Sequence, residues 1–171
     1  MNLCVLAKST PVHRMGGMEI YGDLLSRGLA ARGHRVVVIT TRHPEGLLAE
    51  DKDGVETHYL PGAPAARYTR AWWRESVARF AELDRERPFD VVLSHSVAAY
   101  GYCRAGVTRR RLPVVAFMQG TPWGELGSAW GQVRTPREAS AFALKTLPDV
   151  LLRFVPWFRT TLGAAGARER T

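Results

Sequence analysis

"LCVLAKSTPVHRMGGMEIYGDLLSRGLAARGHRVVVITT", residues 3–41, decides the fold class. It opens with Leu3–Ala7, a short apolar run that suits a buried strand. Met18–Arg32 places Ile20, Leu24, Leu25, Gly28 and Ala31 on one helical face, the pattern of an amphipathic helix. Gly33 stands where a helix C-cap glycine belongs. Arg35–Thr41 (RVVVITT) is a continuous β-branched run, as in a strand covered on both faces. Strand, helix and strand in so short a span predict a βαβ unit with a parallel pair.

The same alternation continues outward. Val55–Leu60 (VETHYL) alternates more and suits an edge strand, and PGAPAA is a turn-rich link. Tyr68–Arg87 reads as a helix carrying Trp73, Val77, Phe80 and Leu83 at helical spacing, stopped by Pro88. FDVVLSH is the next buried strand, Ser96–Arg104 a short helix and LPVVAFM a further strand. QGTPWGELGSAWGQ is a Gly- and Trp-rich loop, and Pro136–Thr161 reads as a helix broken or kinked at Pro148 and Pro156. The sum is an α/β chain, a Rossmann-like open and mostly parallel sheet with helices on both faces. In such sheets ligands sit outside the carboxyl ends of the strands. That directs attention to Lys8–Glu19, Thr40–His43, Ser94–Ser96 and Gln119–Glu125.

Composition narrows the classes. A chain of 171 residues fits one domain, and 46% hydrophobic with 23% charged residues is globular. No apolar run approaches the roughly 18 residues of a membrane span. The amino terminus, MNLCVLAKST, lacks the basic leader and cleavage site of a secretory signal, so a cytoplasmic location is expected. Cys4 and Cys103 show no metal-ligand spacing and read as reduced core thiols. The net charge of +8 rests almost wholly on Arg. It fits contact with phosphates or lipid head groups, and equally a compositional bias. Basic residues are not concentrated on one helix and no nucleic-acid motif is present, so a nucleic-acid partner is not expected.

Gly16 and Gly17 fall between the first strand and first helix, where missing side chains let a ligand approach the N–H groups of the helix start. A tight turn with nothing bound is the alternative. A nicotinamide site would show GxGxxG and an acid ending the second strand; the chain has MGGMEIYG and Thr40-Thr41-Arg42. A Walker A loop is also absent, so dinucleotide and nucleoside-triphosphatase readings fail.

The segment P…GGMEIY…L…LAARGHRVVVIT (Pro11–Thr40) resembles the N-terminal half of a retaining GT-B glycosyltransferase of family 4. DGVETHYLP (Asp53–Pro61), FDVVLSHS (Phe89–Ser96) and LPVVAFMQGT (Leu112–Thr121) follow in the family's order. The resemblance covers about residues 3–125. It implies a cleft between two Rossmann-like domains, the N-terminal one holding the acceptor and the C-terminal one the nucleotide sugar. It maps a sugar-contacting histidine onto His95, the expected catalytic residue, and places Gly16 and Gly17 at the cleft. Glu19, Ser94, Ser96, Gln119, Gly120, Thr121 and Trp123 are the further residues expected at the substrate. Where the family has His-Gly after the fifth strand, this chain has Gln119-Gly120, and glutamine can position but not titrate. His13 lies in a variable loop and is at most acceptor-facing.

The family's donor signature, two glutamates seven residues apart, belongs to a C-terminal domain that does not fit within these residues. Residues 1–171 are therefore expected to form a single acceptor-side domain, inactive alone, whose partner domain lies in cis or on another chain. The alternative is a non-catalytic binding subunit of a split or degenerate glycosyltransferase. No metal or other cofactor is expected; the nucleotide sugar is a co-substrate. Trp123 and Trp130 could stack on a sugar or anchor the loop. Leu151–Leu162 (LLRFVPWFRTTL) mixes apolar residues with arginines as an interfacial helix does, which allows peripheral membrane contact; Pro156 and packing against a second domain weigh against it. Donor, acceptor and linkage are not legible.

Overall fold

The computed structural model describes residues 1–105, 112–118 and 135. Residues Met1–Gln119 form one compact unit. Its elements run β1 (Asn2–Leu6), α1 (Gly17–Ala31), β2 (Arg35–Thr41), β3 (Ala49–Lys52), β4 (Val55–Leu60), α2 (Arg70–Glu86), β5 (Val91–His95), α3 (Tyr100–Ala105) and β6 (Val114–Phe117). They build a six-stranded sheet in the order β3-β4-β2-β1-β5-β6. All pairings are parallel except β3 with β4.

The pleat divides each strand between two cores. Cys4, Leu6, Val37, Ile39 and Val92 face one side and pack with Trp72, Phe80 and Leu83 of α2 and Tyr102 of α3. Leu3, Val5, Val36, Val38, Val91 and Leu93 face the other, against Leu29 and Ala30 of α1. Burial on both faces is why these strands read as unbroken apolar runs. Helix α2 starts at the Thr69 cap, whose hydroxyl accepts the Trp72 N–H at 3.2 Å. At the end of α1, Gly33 adopts φ +81°, the left-handed geometry expected after a helix.

Three expectations are corrected. Val55–Leu60 is an interior strand, because β3 pairs outside it. The hairpin turns on Asp53 and Gly54, both at positive φ (54° and 75°), the turn that Asp-Gly favours. Helix α1 is rotated from its apolar stripe: Glu19, Gly22 and Ser26 are buried, while Ile20 and Leu24 are exposed. The cause is close approach to the sheet, which small inward residues permit. Cys4 is buried as expected, but Cys103 is exposed because it lies on the outer side of the short α3.

Candidate functional site

Strands β2 and β4 lie to one side of β1, and β5 and β6 to the other, so the chain reverses its winding between β1 and β5. Loops leaving the carboxyl ends of those two strands diverge and open a crevice. The loop after β1 and His95 at the end of β5 flank it.

His95 is buried, and neither Nδ1 nor Nε2 bonds to a protein group. Its backbone is held instead: the carbonyl accepts from Tyr68 Oη at 3.2 Å and from the Ala98 N–H at 3.2 Å. The ring lies edge-on to Phe117, centroids 6.4 Å apart. On its α1 side stands Gly22, where an added Cβ would lie 1.9 Å from Cε1 of His95. Burial pushes the imidazole pKa below its ordinary value, and the nearby charge of Glu19 only partly offsets this.

Glu19 is buried in the first turn of α1. Its Oε1 accepts from Ser9 Oγ at 2.6 Å and Arg14 Nε at 2.8 Å. Burial works to raise its pKa, but the bonds from Ser9 and Arg14 prevail and hold it below the usual carboxylate value. A Cβ on Gly16 would meet Oε2 at 2.5 Å, so glycine there makes room for this carboxylate. Gly17 has open space around it and begins the helix without a side-chain cap. The corner thus divides its labour, Gly16 admitting Glu19 and Gly17 leaving the helix start uncovered.

Ser94 Oγ donates to the Ser96 carbonyl at 2.8 Å and accepts the Ala99 N–H at 2.9 Å, so its hydroxyl shapes the turn after β5. Ser96 is left-handed, φ +55°, which aims the chain away from the strand end. His13 pins the first loop to β2: Nδ1 accepts the Thr10 N–H at 3.1 Å, and Nε2 lies 3.1 Å from the Arg42 carbonyl oxygen. Thr41 Oγ1 adds a bond to the Lys8 carbonyl at 2.7 Å. Three of the four expected segments are therefore neighbours. Gln119, Gly120, Thr121, Trp123 and Trp130, with the stretches 108–111 and 136–161, lie outside the described residues. A cavity of about 240 Å³ runs from His95 and Glu19 past Gly22 and Ser26 to Thr57. Among the described residues, no group of three or more His, Cys, Asp or Glu is placed to hold a metal ion. None of their helices is long and apolar enough to cross a membrane.

Gly22, Ser9 and Arg14 were not singled out by sequence. Gly22 stood in plain view within MEIYG, but its purpose is contact with a distant residue.

A crevice at the winding reversal, floored by a parallel sheet and entered by a glycine corner, defines the doubly wound, Rossmann-like α/β class. The model of the glycosyl transferase 4-like domain matches residues 16–155, and the chain belongs to that family. Sucrose-phosphate synthase from Thermosynechococcus elongatus has a similar fold: TM-score 0.57 at 16% identity, over 80% of this chain and 36% of that one. The chain thus spans little more than a third of that protein's length. A comparison with curated proteins finds no match.

Proposed function

We propose that this chain is the acceptor-side domain of a retaining glycosyltransferase that takes a sugar from a nucleotide-activated donor. The observation that carries the reading is His95: buried at the carboxyl end of a central strand, with both ring nitrogens free of protein partners. Buried polar atoms without protein partners are rare and call for a partner from water or a ligand. An imidazole so placed hydrogen-bonds a sugar hydroxyl in its neutral form, and a proton on it would stabilise charge developing on the departing diphosphate. Gly17 leaves helix-start amides available to a phosphate, with the helix dipole of the right sign. The nucleotide would be held by a second domain, in cis or on a partner chain. The domain would act in the cytoplasm, peripherally at a membrane if its acceptor is a lipid, and without a metal ion.

The test is sugar transfer by the full-length protein from uridine, guanosine and adenosine diphosphate sugars, followed as release of the nucleoside diphosphate. His95→Ala should lower kcat by about 10²–10³-fold, as loss of one preorganised donor does. Turnover equal to the parent protein sinks the role of His95. An inverted anomeric product removes retention.

A further inference from the structure

Beyond the role of His95 itself, one question concerns how an imidazole without partners keeps a defined place. Two residues of α1, three positions apart and so on one helical face, line the cavity that holds it. Gly22 is the point of closest approach, since any Cβ there would overlap the ring. Glu19 is fixed by Ser9 and Arg14, so its carboxylate cannot swing away. The rotation of α1 that turns Glu19, Gly22 and Ser26 inward puts all three on that cavity wall.

We propose that Gly22 and Glu19 are positioning residues for His95: Gly22 supplies the space the ring occupies, and Glu19 a fixed negative charge on the wall of the cavity they share. The proposal rests on the reading of His95 as a substrate-facing group. Arg27, Glu50, Lys52, Asp53 and Tyr59 line the same cavity as His95. Asp23 of α1 lines the same cavity but is paired with Arg27 at 2.6 Å. Arg14 is tied to Glu19 itself. On the α2 side, Tyr68 donates to the His95 carbonyl, and Lys8 Nζ lies over the Tyr68 ring at 5.1 Å. The neighbouring β6 side chain, Phe117, carries no charge.

Space and charge predict different responses. Removing the charge in Glu19→Gln leaves the ring in place but without that anion, so its titration midpoint falls. Adding a methyl in Gly22→Ala meets the ring at Cε1 and displaces it, so the His95–Phe117 ring contact is lost. A general loosening of the site would break the ring contact in both variants. The measurement is an NMR titration of the histidine-labelled protein, with His95→Gln used to assign the resonance. Expected results are a lower midpoint with the ring contact intact in Glu19→Gln, partial return in Glu19→Asp, and loss of the ring contact in Gly22→Ala. An unchanged midpoint or a lost ring contact in Glu19→Gln, or a ring contact kept in Gly22→Ala, overturns the proposal. Should Glu19→Gln not fold, Gly22→Ala decides alone: a ring contact left intact overturns it. No substrate is used, so this outcome is read separately from the transfer assay, and failure of either leaves the other legible.

Discussion

Helix α2 turns Trp72, Phe80 and Leu83 into the core, whereas α1 turns Glu19, Gly22 and Ser26 inward and leaves Ile20 and Leu24 exposed. The helices cover opposite faces of one sheet. Burial of large apolar groups stabilises the fold, and α2 does this with two fully buried aromatics. Helix α1 forgoes much of that gain. Its inward polar and small residues contribute less, but they let its backbone reach the end of β5 and set a carboxylate on the same cavity as an imidazole. The difference separates a helix selected for packing from one selected for what it places.

The sharpest way to break the comparison is on α2. Phe80, fully buried and stacked on Phe89 at 5.3 Å, should cost about 3–5 kcal/mol when truncated to Ala, read by urea unfolding. Next comes Glu19→Ala, which strips Ser9 and Arg14 of their shared acceptor and should cost about 1–3 kcal/mol. Its pH dependence has a definite sign. Because the folded carboxyl titrates below its ordinary 4.5, its contribution is full above that value and fades as pH falls through the depressed one. Thermal melts of Glu19→Ala across acid pH should lose that part of the decline.

A finer contrast lies within α1. Gly28 has nothing near its missing Cβ, so Gly28→Ala should stabilise by up to about 1 kcal/mol through helix propensity. The same change at Gly22 meets the His95 ring and should forfeit that gain, as paired melting curves would show. Smallest of all, Leu24→Ser on the exposed face should stay within about 0.5 kcal/mol of the parent. A larger loss would mean that this face is covered.

The sheet was legible because its signals are local. Apolar runs, the glycine after α1 and Pro88 after α2 announce themselves within a few residues. The β3–β4 hairpin had its signal too, in Asp53-Gly54, but Ala49–Lys52 carries little of the apolar alternation that marks a strand. The facing of α1 was misread for a deeper reason. Periodicity reports where apolar groups lie, and here they lie outward. His95, Gly16 and Gly17 could be singled out because strand ends and glycine corners have recognisable neighbours. Gly22 was not, since what demands it stands on another strand. Glu19 was picked out as a substrate contact, but its bonds to Ser9 and Arg14 were not legible, since only the folded loop brings those partners within reach.

The hairpin strand β3 has one more consequence. It is four residues long, three of them charged, and it lies antiparallel at the margin of the sheet. Short, charged margins resist the docking of another strand. Among the described residues the opposite margin is β6, which is apolar, with Val114 and Val115 exposed. The two margins therefore differ in what they invite: charge guards the β3 side against a further strand, while the β6 side offers an apolar one.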